Sequence, residues 1–255
     1  MIISDKYKYV FIGLPLAAST AISKELCEMY SGRPILSKHS IYQDFLKVAT
    51  VEQKRYKVLA CARNPLDIGV SQYTKMMSNA NGNYSNEQLL RKNGGHMKTS
   101  EYKLAKRFWE NNGTFTDFLN EFYKVPFDNW LSITASHCDF VMRFDHLQGD
   151  FEEALKVCDI IPKRALPVVN KTTKKTTYID FYSEDNFDKA NAIFGPYMLK
   201  HKIDFPSKWT NSSVPFLSRL SFAIMGVIRK YYWLYVSYRD VNPQKVYKEL
   251  LEKHQ

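Results

Sequence analysis

Short apolar runs alternate with segments of helical period along most of the chain. Tyr7 to Leu14 (YKYVFIGL) is a β-prone run, and Leu16 to Tyr30 reads as a loop followed by a helix. Tyr56 to Ala62 (YKVLACA) predicts a second buried strand, closed by an Asn64-Pro65 turn, and Asp67 to Met77 has helical spacing. Between them, Lys38 to Ala49 sets Ile41, Phe45 and Val48 at helical intervals, which predicts a short amphipathic helix. Phe115 to Tyr123 predicts another, with Thr114 or Thr116 as its cap. A third strand, Asp139 to Phe144 (DFVMRF), leads into a helix from Asp150 to Cys158, and a further helix is expected from Ser183 to Phe194. Strands alternating with helices predict an α/β fold of three layers, a mainly parallel central sheet flanked by helices.

Two stretches lack either period. Ser78 to Gly95 is rich in Asn, Gly and Ser and reads as a mobile excursion, and Asn170 to Thr177 (NKTTKKTT) reads as a basic loop. After Pro206 the composition changes, and Leu217 to Tyr238 predicts one or two amphipathic helices. The expected organisation is a ligand-binding domain over residues 1–206 and a helical C-terminal extension over 207–255 packed on it. The apolar stretch from Pro215 to Tyr238 is broken by Arg219, Arg229 and Lys230, which makes it a poor membrane span. A helix packed on the domain, a dimer contact and a membrane-interface helix are the readings open to it, the first two being commoner.

With 45% hydrophobic and 24% charged residues in 255, the composition is that of a folded protein able to bury a large core. Aromatic residues reach 15%, which suits packing of large side chains between layers. A net charge of +10 favours anionic partners such as nucleotides, acidic glycans, nucleic acid or anionic membranes, without choosing among them. No nucleic-acid-binding motif accompanies the charge, so a specific nucleic-acid partner is not expected. Cys27, Cys61, Cys138 and Cys158 are scattered without metal-ligand spacing, and Cys61 and Cys138 read as reduced core residues. With no signal-peptide pattern ahead of the first strand, a cytoplasmic protein is expected. His96, His137, His146, His201 and His254 show no metal-ligand spacing either, and no metal is expected.

The chemistry concentrates at two strand-to-helix junctions. In the first, Gly13-Leu14-Pro15-Leu16-Ala17-Ala18-Ser19-Thr20, small residues run into a helix N-terminus, where backbone N–H groups and the helix dipole favour an anion. A capped tight turn is the plainer alternative. The pattern GxxxxGK[ST] is absent, which disfavours ATP or GTP phosphoryl transfer. In the second, Arg63-Asn64-Pro65-Leu66-Asp67-Ile68-Gly69-Val70-Ser71-Gln72-Tyr73, an Arg stands at the C-terminal end of a strand, where open α/β sheets bind ligands. Ser71 lies two helical turns further on, and a guanidinium with a hydroxyl makes a phosphate clamp. The alternative is an Arg63 that merely caps a carboxylate such as Asp67.

The string RNPLDIGVSQY resembles the 3'-phosphate-binding motif of sulfotransferases, which use 3'-phosphoadenosine 5'-phosphosulfate (PAPS) as sulfate donor. The first junction resembles their 5'-phosphosulfate loop, a P-loop-like element, and its P-x-x-A-S-T ending is similar to the uronyl and heparan 2-O-sulfotransferase branch. Lys38 to Phe45 (KHSIYQDF) is similar to that branch's H-x-x-Y-x-D-F setting, and DFVMRFDHL to the family's strand ending in R-F/Y-E/D-x-L. Leu166, Pro167, Asn170 and Lys171 resemble its L-P-x-x-N loop.

The resemblance, from about Tyr7 to Pro206, implies that Arg63 and Ser71 hold the 3'-phosphate. Leu16, Ala17, Ala18, Ser19 and Thr20 would cradle the 5'-phosphosulfate, His39 would be the general base, and Asn170 and Lys171, with Lys174 and Lys175, would close over the nucleotide. The acceptor would carry a hydroxyl, with a carbohydrate, an acidic glycan among them, suiting the branch and the charge. One departure stands out: the family places a Lys after the loop Pro, and this chain has Leu16. Either another cation fills that place, or the protein is a nucleotide- or sulfated-ligand-binding module with little or no catalysis. Ala17 and Ile68 also depart from the family pattern.

Overall fold

A computed structural model describes residues 1–93, 97, 99–167, 177–209 and 213–237. In chain order the regular elements are β1 (Ile2–Ser4), β2 (Tyr9–Ile12), α1 (Ser19–Met29), β3 (Arg33–Pro34), α2 (Tyr42–Val48), β4 (Lys57–Ala62) and α3 (Pro65–Met77). There follow α4 (Thr99–Glu110), α5 (Phe115–Phe122), α6 (Leu131–Thr134), β5 (Phe140–Arg143), α7 (Leu147–Val157), α8 (Glu184–His201) and α9 (Phe216–Tyr231). The chain divides into two compact units, one of Met1–Arg63, Asp128–Thr173 and Met225–Gln255, the other of Asn64–Phe127 and Lys174–Ile224.

The first unit holds the five-stranded sheet, ordered β3-β1-β2-β4-β5. Strands β2, β4 and β5 are parallel neighbours, and β1 runs antiparallel to both β2 and β3. The mixed, mostly parallel α/β sheet is therefore as expected, with β1 and β3 added at one edge. Two apolar residues after Met1 carry no readable period, and β1 forms because Ile2 and Ile3 become fully buried beside Phe11 and Val10. All four residues of β2 are buried, as a strand covered on both faces requires. The pairing of β2 with β4 sets Ile12 beside Ala60, so the loop after β2 and the residues after β4 leave the sheet at the same end. At the far end of α1, the Tyr9 hydroxyl donates to the Tyr30 carbonyl at 3.0 Å, and buried Glu25 is gripped by the Arg164 fork at 2.6 and 2.9 Å.

The second unit uses the aromatic residues. Phe118, fully buried, meets Tyr73, Phe108, Phe115, Phe122 and Tyr123, and Phe194 meets Tyr123, Phe127 and Tyr182. A Cβ on Gly69 would lie 3.0 Å from the Phe194 ring and 3.1 Å from the Tyr182 hydroxyl, so α3 can approach that cluster only at a glycine. Helix α8 runs past Phe194, where the sequence places its end, through Pro196 to His201. Burial of Tyr197 and Met198 beyond the proline offsets the lost backbone hydrogen bond.

The described part of Ser78–Gly95 has local structure that its composition does not announce. It is a string of short 3₁₀ turns pinned by side chains: Tyr84 N–H donates to Asn79 Oδ1 at 2.8 Å, and Asn93 Nδ2 to the Glu87 carbonyl at 2.7 Å. Leu90 packs with Met97 and Tyr102 beneath it.

Candidate functional site

The first junction folds into a turn that inverts the backbone twice, with Leu16 at φ 62° and Ala18 at φ 51°. Neither is glycine, and a left-handed conformation costs an L-residue roughly 1–2 kcal/mol. Such strain concentrates where a loop must present its amides in a set direction. Ile22 makes the first intrahelical bond of α1, to the Ala18 carbonyl at 3.1 Å. The N–H groups of Ser19, Thr20 and Ala21 therefore have no acceptor within the helix, and they are available to an anion.

The turn after β3 is clamped onto this loop. The Met1 nitrogen donates to the Ser37 carbonyl at 2.6 Å, and the hydroxyls of Ser37 and Ser40 lie 3.0 Å apart. A Cβ on Gly13 would fall 2.7 Å from the Lys38 carbonyl oxygen, so the glycine lets the two backbones touch. From this turn two side chains reach the loop. His39 Nδ1 lies 2.7 Å from the Gly13 carbonyl, and Lys38 Nζ donates to Thr20 Oγ1 at 2.5 Å.

The His39 contact fixes a tautomer. A carbonyl can only accept, so Nδ1 carries the proton. Burial, helped by the Lys38 charge, pushes the imidazole pKa down to about 4, against the opposing pull of the Gly13 bond. His39 is then neutral at pH 7, and Nε2 bears a lone pair.

The second junction meets the first. Asn64 caps α3 through its side chain, which accepts from Leu66 N–H at 3.0 Å, and Pro65 occupies the first helical position. Just before it, Arg63 Nη1 donates to the Leu16 carbonyl at 3.1 Å. The Arg63 guanidinium also lies over the Phe144 ring, 4.3 Å from its centroid. Phe144 follows directly on the last residue of β5, which is anchored: the Asp150 carboxylate accepts from Arg143 N–H at 2.7 Å and from Nε and Nη2 at 3.0 Å each. The guanidinium draws the Asp150 carboxyl below the usual carboxylate range.

Leu16, Ala17, Ala18, Ser19, Thr20, His39 and Arg63 all lie in the first unit, where His39 and Arg63 reach the loop. Ser71 stands half-buried on α3, in the second unit. Asn170, Lys171, Lys174 and Lys175 lie outside the described residues, as do His96 and His254. Sequence reasoning passed over Lys38 and Phe144, although both sit inside motifs it singled out, KHSIYQDF and DFVMRFDHL. Among the described residues no cluster of His, Cys, Asp and Glu could hold a metal ion. All four cysteines are unpaired, and burial pushes the Cys61 thiol up to about 12.

A strained strand-to-helix turn, donating amides and an Arg placed by the next parallel strand form an arrangement able to hold an anion at the strand ends of an α/β fold. The particular family follows from comparison with known ones: the sulfotransferase domain matches residues 6–202, and the chain belongs to that family. Its activity class is accordingly sulfuryl transfer. No curated protein and no solved structure gives a significant match.

Proposed function

We propose that the protein transfers the sulfuryl group of PAPS to a hydroxyl of a carbohydrate acceptor. The observation that carries this reading is the Arg63–Leu16 contact, which joins the guanidinium of one junction to the strained loop of the other within 3.1 Å. A donor phosphorylated at both its 3' and 5' positions needs two anion grips on neighbouring segments of the protein. In this reading Arg63, stacked on Phe144, holds the 3'-phosphate. The amides of Ala17 to Ala21 and the hydroxyls of Ser19 and Thr20 hold the 5'-phosphosulfate.

The acceptor hydroxyl gives its proton to His39 Nε2 as its oxygen attacks sulfur in line. The bond between sulfur and the bridging oxygen breaks, and adenosine 3',5'-bisphosphate leaves with the electron pair. Fixed dipoles and cations stabilise the charge that develops on that oxygen. A net charge of +10 and the branch resemblance both favour an acidic glycan as acceptor.

Calorimetric titration with adenosine 3',5'-bisphosphate, followed by radiolabelled transfer from PAPS to pooled glycans, tests the proposal. Saturable binding and labelled glycan are expected. A chain that binds neither PAPS nor its desulfated product is something else. Leu16 in place of the loop Lys favours one second reading, a module that binds the nucleotide without transfer. Tight binding with no turnover, unaltered by His39→Ala, would establish that module.

A further inference from the structure

We propose that Lys38 is the cation of the transfer step, reaching the loop from another turn to stand where Leu16 leaves none. The assignment rests on the reading of the site as a PAPS pocket. Three observations lead to it. Lys38 Nζ is 2.5 Å from Thr20 Oγ1, in the first turn of α1, where that reading puts the phosphosulfate. The backbone carrying it is held by Ser37, Ser40 and Gly13, so the ammonium is delivered from a fixed base. The third is electrostatic. A helix N-terminus repels cations, and the first turn of α1 has no acidic residue to soften the repulsion. An anion seated between the Lys38 ammonium and the helix end would be attracted by both.

In the reaction Lys38 neutralises the charge that builds on the bridging oxygen as the sulfur–oxygen bond breaks, and stays protonated throughout. Its charge also helps keep the adjacent His39 neutral and able to accept the acceptor's proton.

The test uses the full chain and three variants: Lys38→Met, Lys38→Arg, and Lys38→Met combined with Leu16→Lys. Lys38→Met is expected to lower kcat by about 100- to 1000-fold, the typical cost of removing one donor aimed at developing charge. The bisphosphate Kd should move far less. Lys38→Arg should keep part of the rate, and Leu16→Lys should restore part of it by returning a cation to the loop. Turnover by Lys38→Met close to that of the natural chain overturns the assignment. So does a parallel loss of turnover, binding and thermal midpoint, which would make Lys38 a structural residue. A natural chain that neither binds the bisphosphate nor transfers sulfate sinks the pocket reading itself, a separately visible failure.

A different observation carries a second inference. Helix α9 turns an apolar stripe to solvent: Leu217, Leu220, Ile224, Val227 and Tyr231 recur at helical spacing and are exposed, with Val227 73% accessible, while Phe222 is buried on another face. Tyr235 and Val236, exposed in the turn that follows, extend the stripe. Arg219 and Lys230 flank it on one side, and α9 contains no acidic residue. At its start Phe216 and Arg219 line an apolar cavity of 540 Å³ with Leu199, Phe205 and Trp209.

We infer that this face lies on an anionic bilayer surface, with the aliphatic residues of the stripe among the acyl chains, its tyrosines at headgroup level and the cations on lipid phosphates. Charge decides against a second copy of α9 as the occupant, because stripe-to-stripe pairing would set Arg219 and Lys230 against like charges. Among the described residues no helix is long and apolar enough to cross a membrane, so the contact is with the surface.

Flotation of the full chain with phosphatidylcholine vesicles, with and without phosphatidylserine, tests this. Binding to the phosphatidylserine vesicles is expected, with Ile224→Asp/Val227→Asp abolishing it. Arg219→Gln and Lys230→Gln should each weaken it about fivefold, equivalent to about 1 kcal/mol per charge. A natural chain that stays at the bottom of the gradient overturns the inference. So does a solution dimer that Ile224→Asp/Val227→Asp disperses, which would give the stripe to a second copy.

Discussion

Replacing Arg63 by alanine is expected to weaken binding of adenosine 3',5'-bisphosphate by roughly 30- to 1000-fold, or about 2–4 kcal/mol, the cost of truncating one partner of a charge-assisted hydrogen-bonded pair. Two losses combine. The proposed 3'-phosphate loses its fork, and the Leu16 carbonyl loses the donor 3.1 Å away that ties it to β4. Since Leu16 is already in a left-handed conformation, releasing its carbonyl loosens the loop meant to grip the other end of the nucleotide. Arg63→Lys should recover only part of the affinity: an ammonium keeps the charge but neither forks nor stacks on Phe144 as the guanidinium does. Titration calorimetry with the bisphosphate reads the effect directly, and unchanged affinity in Arg63→Ala would remove this residue from the donor site.

The second large effect is kinetic. His39→Asn should lower kcat by about 100- to 10,000-fold, the usual contribution of a positioned general base, with the bisphosphate Kd little changed. Asparagine is the more informative variant because its amide can still donate to the Gly13 carbonyl while offering no basic nitrogen. His39→Ala would remove both. The acid limb of the kcat/KM profile, which reports the free enzyme, follows from the same site. Burial holds the imidazole pKa at about 4, so the base stays competent down to that pH instead of failing near 6.5. The sign for stability is opposite to that of a paired histidine. Between pH 6.5 and 4 the unfolded chain binds a proton that folded His39 refuses, so stability falls as pH drops through that window and is unaffected above it. A kcat/KM that titrates near 6.5, or a kcat unaffected by His39→Asn, would exclude His39 as the base.

Local pattern carried most of the sheet and helices. The parallel strands β2, β4 and β5 were legible because each is a short apolar run followed by a turn signal and a helical period. The N-terminus of α3 was legible because Asn64 and Pro65 are cap and first-turn residues whatever surrounds them. Elements whose stability comes from remote partners were not. β1 and β3 are three and two residues long and exist by pairing with each other and with β2. The extension of α8 through Pro196 depends on the burial of Tyr197 and Met198. The polar composition of Ser78 to Gly95 hid short turns in which Asn side chains serve as acceptors and donors.

The site divides along the same line. By itself the sequence determined the two strand-to-helix junctions, the Arg that ends one strand and the histidine within its motif, because cap residues, small loop residues and apolar period act over a few neighbours. Tertiary structure alone decided which of these side chains meet. The register of β2 on β4 brings Arg63 to a carbonyl 47 residues earlier, and the clamp on Gly13 delivers Lys38 to a hydroxyl 18 residues away. Such convergence depends on how distant segments pack, a relation that no local period encodes, which is why the chain shows where the loop Lys is missing and only the fold shows Lys38 at the loop.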